Sequence, residues 1–86
     1  MFDRLLSSLK AHQKTTPSEK KVVVLASYLD EGISYIQVTV QPKGSKNISA
    51  MSIMTDSHHN SLLKAIECAK DPEVKAYLRS ILCELL

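Results

Sequence analysis

Glycine is nearly absent: Gly32 and Gly44 are the only two in 86 residues. A phosphate-cradling loop or a dinucleotide fingerprint needs several glycines at fixed spacing, so that backbone can approach the ligand, and these two cannot supply it. Cysteine is as scarce. Cys68 and Cys83 lack the close spacing of a redox or zinc motif, and they read as reduced thiols, small hydrophobes buried in helices. No apolar run approaches the roughly 20 residues that a membrane-spanning helix needs. A secretory signal is not expected either, because Asp3 and Arg4 interrupt the N-terminus and Leu5-Leu6-Ser7-Ser8-Leu9 is too short for its apolar region. The expected location is therefore cytoplasmic, without membrane contact. Charge of one sign is not in excess: 11 Lys and Arg against 9 Asp and Glu leave +2, too little to imply nucleic acid by itself.

What the chain does have is a dense β-branched block. Val22-Val23-Val24-Leu25-Ala26-Ser27-Tyr28-Leu29, then Asp30-Glu31-Gly32, then Ile33-Ser34-Tyr35-Ile36-Gln37-Val38-Thr39-Val40 reads as a β-hairpin whose glycine supplies a positive φ at the turn. Ile36, Val38 and Val40 alternate with Tyr35, Gln37 and Thr39, so the second strand has one buried and one wetter face. Val22 to Leu25 do not alternate, and that strand should be covered on both faces or meet a partner. Tyr28 and Tyr35 read as a cross-strand aromatic pair.

Around the hairpin the signals change period. Phe2, Leu5, Leu6 and Leu9 share one side of a helix that the spacing predicts over Phe2 to His12. Gln13 to Lys21 is polar and carries Pro17, which predicts a connector. Pro42-Lys43-Gly44-Ser45-Lys46-Asn47 is a turn by composition, and a less regular strand follows from Ile48 to Thr55. Asp56 and Ser57 are N-cap types ahead of the helical set Leu62, Leu63, Ile66 and Ala69. Asp71-Pro72-Glu73 starts a last helix with a cap, a first-position proline and an acid in the first turn. Its apolar residues, Val74, Tyr77, Leu78, Ile81, Leu82, Leu85 and Leu86, span about half its circumference, wider than the roughly 100° of a surface helix.

The expectation is one small α+β domain over residues 1–86: a short N-terminal helix, a three-stranded antiparallel meander and two C-terminal helices packed on the sheet. A domain of this length buries only about 60–65% of its unfolded surface.

Chemistry is thinly represented. Asp56-Ser57-His58-His59 is the nearest thing to a site, with His12 distant. Adjacent histidines point in different directions, and no His-x-x-x-His or Cys-x-x-Cys spacing supplies further ligands. They read as a solvated helix start that should tolerate alanine at both positions. Asp30 and Glu31 are explained by solvation of a hairpin tip. No catalytic residue, metal or cofactor is assigned.

The order helix, three strands, helix resembles the double-stranded-RNA-binding domain. That family grips RNA through a Gly-Pro-x-His type loop and a lysine cluster at the start of its last helix. Here those stretches read Asp30-Glu31-Gly32 and His58-His59-Asn60-Ser61. Val22 to Lys70 is also similar in topology to the opening of ribonuclease-H-like folds, including the catalytically dead HicB-type antitoxins. In that comparison Asn60-Ser61-Leu62-Leu63-Lys64-Ala65-Ile66 stands where the fold has a helix glutamate that this chain lacks.

Apolar surplus without chemistry implies a non-enzymatic interaction module, an adaptor, inhibitor or antitoxin-like regulator. The expected contact residues are Val23 and Leu25 on the first strand and Tyr77, Ile81 and Leu85 on the last helix, with a protein partner or a second copy in a two-fold homodimer. The alternative is weak nucleic-acid binding through Lys20, Lys21, Lys43 and Lys46.

Overall fold

The computed structural model describes residues 10–29 and 32–85. Four strands, β1 (Lys10–Thr15), β2 (Lys20–Leu29), β3 (Ile33–Pro42) and β4 (Ser49–Thr55), are followed by α1 (His58–Cys68) and α2 (Pro72–Leu85). The strands lie side by side in chain order. Each is antiparallel to the next, with Lys14 opposite Val22, Val24 opposite Val38, and Ile36 opposite Ile53.

The class is α+β as expected, but the sheet has four strands where the sequence predicts three. The added strand is β1, whose residues were expected as the end of a helix and the start of a connector. The helix expected over Phe2 to His12 lies largely outside the described residues, and its last positions, Lys10, Ala11 and His12, are strand. Lys10-Ala11-His12-Gln13-Lys14-Thr15 has no apolar alternation of its own. It is extended because β2 presents a full row of backbone donors and acceptors on that side, and pairing satisfies them.

The β1–β2 turn is built from Thr16, Pro17, Ser18 and Glu19. The amide of Glu19 donates to the Thr16 carbonyl at 2.8 Å, the Thr16 amide donates to the Lys20 carbonyl at 2.9 Å, and the Lys20 amide donates to Thr16 Oγ1 at 3.0 Å. Pro17 holds the φ that the second position of such a turn needs. Glu19 closes it at φ 64°, a left-handed conformation that costs an L-residue strain. Gly32 takes the expected positive φ, 81°, ahead of β3.

Alternation then separates two faces of the sheet. Val22, Val24 and Ala26 of β2 and Ile36 and Val38 of β3 are buried beneath Leu62 and Ala65 of α1 and Val74, Leu78 and Ile81 of α2. Val40, Met51 and Ile53 pack against this core from the same side. Ser57 caps α1, its side chain accepting from the Asn60 amide at 3.1 Å. Asp71 caps α2, its Oδ1 accepting from the Glu73 amide at 2.9 Å. Both starts fall where the sequence places them.

Candidate interaction surface

Among the described residues nothing packs on the opposite face of the sheet. Its side chains can be read in rows from the strand register. At the β2–β3 hairpin end Leu29 lies opposite Ile33, and in the next row Ser27, Tyr35 and Met54 stand side by side. Leu25, Gln37 and Ser52 follow, then Gln13, Val23, Thr39 and Ala50, and the last row holds Thr15, Lys21 and Gln41. The face therefore grades from apolar at the hairpin to polar at the far end. Lys21 is the only charged residue among its described side chains. Leu25, Leu29 and Ile33 are each about two-fifths exposed and Met54 is 61% exposed, so a run of large apolar side chains meets water along one half of the sheet.

The structure divides the expected contact residues between the two sides. Val23 and Leu25 lie on this open face, Val23 half-buried among its neighbours. Ile81 is in the core at 5% exposure, and Tyr77 is half-buried with Lys14 Nζ 5.8 Å from its ring centre. Burial, and after it the charge of Glu84, pushes the Tyr77 hydroxyl above its ordinary pKa. The side chain of Leu85 is outside the described residues.

Three of the four expected lysines meet at one end of the sheet. Lys20 stands opposite Pro42, Lys21 opposite Gln41, and the Lys43 amide donates to the Glu19 carbonyl at 3.0 Å. Two of them have acidic partners. Lys20 pairs with Asp71, and Lys43 Nζ lies 3.2 Å from Glu19 Oε1. The hydrogen bond to Asp71 raises the pKa of Lys20, and the same bond, aided by the Glu73 amide, lowers that of Asp71. Glu73 is also held below the usual carboxylate range, by the Thr16 hydroxyl first and then by Ser18, whose Oγ donates to it at 2.9 Å. This cluster ties the β1–β2 turn to the start of α2. Its lysine charge is matched by acids, and Lys21 and Lys46 remain as exposed lysines outside these pairs.

Sequence reasoning missed a polar network under the other end of the sheet. Ser34 and Ser61 are fully buried, with Ser34 Oγ 2.6 Å from His58 Nδ1 and 2.9 Å from Ser61 Oγ, and Ser61 Oγ 2.7 Å from Thr55 Oγ1. Thr55 Oγ1 donates to the Ser57 carbonyl at 2.7 Å, which uses its proton. Ser61 must then donate to Thr55, Ser34 to Ser61, and His58 Nδ1 to Ser34, because each hydroxyl has one proton to give. Buried and oriented this way, Ser34 and His58 tie β3 to the start of α1. The expected solvated helix start is corrected accordingly: His58 is half-buried and His59 is exposed.

Two further expectations are corrected by the register. Tyr28 lies opposite Ser34, and Tyr35 opposite Ser27, so the tyrosines sit on different faces and do not pair. Cys68 and Cys83 are free thiols as expected, but both are exposed.

Between the β3–β4 end of the sheet and the α1–α2 turn lies an open cleft of about 390 Å³, walled by Val38, Val40, Met51, Ala69 and Val74 and bounded by Lys20, Lys70 and Asp71. Its lining is apolar, which suits a side chain or small apolar group more than a charged substrate.

The fold defines a class, a four-stranded antiparallel meander backed on one face by two helices. No protein-family model, curated protein or solved structure matches the chain.

Proposed function

We propose that the protein is a small non-enzymatic interaction module that docks a protein partner on the sheet face opposite α1 and α2, as an adaptor, inhibitor or antitoxin-like regulator does. The observation that carries this reading is the chemistry of that face. Among the described residues it presents Leu25, Leu29, Ile33, Tyr35 and Met54 together, with one charged side chain, Lys21, at the opposite end. Apolar area with hydroxyls and amides around it suits the desolvated centre and polar rim of a protein interface. A nucleic-acid surface would need cations across the face and several stacking rings, whereas among the described residues this face carries one lysine and one tyrosine.

A photo-crosslinking residue placed at Tyr35, with Arg79 on the exposed side of α2 as the control position, tests the reading in cells that naturally make the chain. The expected result is a discrete protein adduct from position 35 that survives nuclease and is absent from position 79. Adducts that nuclease removes, or equal labelling from both positions, would overturn it.

A further inference from the structure

Among the described residues β4 is an outermost strand, hydrogen-bonded to β3 on one side. Its other side offers a row of backbone donors and acceptors, the feature through which sheets add strands from another chain. Proteins that keep such an edge apart from others place lysine, proline or a bulge on it. The β1 edge does carry Lys10 and Lys14, whereas β4 reads Ser49-Ala50-Met51-Ser52-Ile53-Met54-Thr55 with no charge and no proline. The two most exposed large hydrophobic residues among those described are also found here, Ile48 just before the strand at 58% and Met54 within it at 61%.

The order of residues in β4 indicates which strand it suits. Read outward from Ser52, the sequence is nearly symmetric in chemical type: Met51 and Ile53, then Ala50 and Met54, then Ser49 and Thr55. Set antiparallel to its own copy with Ser52 on the two-fold axis, β4 brings Met51 opposite Ile53 of the second copy, Ala50 opposite Met54, and Ser49 opposite Thr55. Apolar meets apolar and hydroxyl meets hydroxyl, with no charge brought together.

The parity also agrees. Met51 and Ile53 are both on the helix side and Ala50 and Met54 both on the open side, so the two copies join with their helices on the same face. α1 packs over both β3 and β4. With strands about 4.8 Å apart, a helix centred between them would lie about 10 Å from its symmetry mate, the spacing of packed helices.

We infer that β4 pairs antiparallel with β4 of a second copy of this chain, centred on Ser52, to form a continuous eight-stranded sheet in a two-fold dimer. The two open faces then run on as one surface across the axis. The inference does not depend on what that surface binds.

The test uses the full chain with Cys68 and Cys83 changed to serine. Sedimentation at micromolar concentration should give twice the chain mass of 9.6 kDa. Under mild oxidation Ser52→Cys should give a covalent dimer. Ala50→Cys mixed with Met54→Cys should give the mixed dimer in preference to either self-linked one, and Arg79→Cys on α2 should give none. Ser52→Lys sets two ammonium groups opposite one another, and should weaken the dimer at least about tenfold while the far-ultraviolet circular dichroism of the chain is retained. A monomer throughout would overturn the inference. So would a dimer that Ser52→Lys leaves unchanged and that Ser52→Cys does not link, because its contact would lie elsewhere. Neither outcome bears on crosslinking from Tyr35, so failure here and failure of the open-face reading are read separately.

Discussion

The ring of Tyr28, at the end of β2, stacks on the ring of His58, at the start of α1, with centroids 4.1 Å apart and planes 21° from parallel. The same imidazole donates through Nδ1 to the buried Ser34 hydroxyl, 2.6 Å away. His58 thus joins the hairpin end of the sheet to the first helix by one stacked and one hydrogen-bonded contact. His58→Ala should cost roughly 1–2 kcal/mol, the worth of a hydrogen bond and an aromatic contact. The neighbouring His59→Ala, at an exposed position, should change stability by less than about 0.5 kcal/mol. Urea unfolding of the two variants separates a structural histidine from a solvated one.

Ser34→Ala probes the network from its centre. It removes one hydrogen bond from His58 and one of the two made by Ser61 Oγ, in a site where Ser34 and Ser61 have no solvent exposure. The expected loss is about 1–3 kcal/mol, the usual cost of stranding buried polar groups. Denaturant midpoints falling without a change in slope would show that the native packing, and not the unfolded state, carries the effect.

The two faces of β2 can be told apart by moving one residue along it. Val24 is 1% exposed beneath the helices and Leu25 is 38% exposed on the open face. Val24→Asp buries an unpaired carboxylate and should unfold the domain or cost several kcal/mol. Leu25→Asp should leave a folded protein, read by circular dichroism and a cooperative melt, while abolishing crosslinking from Tyr35.

How much of this was legible in the sequence follows from which interactions fix each element. The β2–β3 hairpin, β4 and both helices carry their own pattern: alternation in Ile36, Val38 and Val40, caps at Ser57 and Asp71, helical spacing through Val74, Leu78 and Ile81. β1 carries none, since its conformation comes from the backbone edge of β2, and that partner is invisible in Lys10 to Thr15 read by itself. The tyrosines were misplaced by register. Leu29 opposite Ile33 sets Tyr28 against Ser34, and one position of slip exchanges every side chain between faces. Cys68 and Cys83 look apolar but fall off the buried stripes that Leu62 and Ala65 make on α1 and Val74, Leu78 and Ile81 make on α2. Val23 and Leu25 are legible as residues off the buried face because β2 is more apolar than one covered face requires. Leu29, Ile33 and Met54 join them only once the rows are known.

Glu19 offers a stabilising change. It sits at φ 64°, where a side chain costs about 1–2 kcal/mol of strain, and glycine would relieve this at some cost in unfolded-chain entropy. Its ion pair with Lys43 is exposed on both sides, 72% and 60%, and such pairs contribute little. Glu19→Gly should therefore gain about 0.5–1 kcal/mol, raising Tm by about 2–8 °C for a domain of this size. Calorimetry of the pair checks it, with Glu19→Ala as the control that removes the charge and keeps the strain.

The Lys20–Asp71 pair and Glu73 give the fold a pH dependence with a defined sign. Asp71 and Glu73 have lowered pKa values in the folded chain, so the unfolded chain binds protons more readily than the folded one as acid is added. Their contribution is complete above the ordinary carboxylate range and is lost as pH falls through the depressed folded values. Lys20 has a raised pKa, so its contribution is present up to the ordinary lysine range and is lost as pH climbs through the higher folded value. Asp71→Asn isolates the charge, because an asparagine oxygen can still accept from the Glu73 amide and cap α2. At neutral pH the variant should melt below the parent. The gap should close as pH falls from the ordinary carboxylate range through the depressed folded value of Asp71, where the parent's own carboxylate becomes protonated. Melting curves from pH 7 down to pH 2 measure it, and the absence of a gap at neutral pH would mean that Asp71 acts through the cap, which asparagine keeps, and not through its charge.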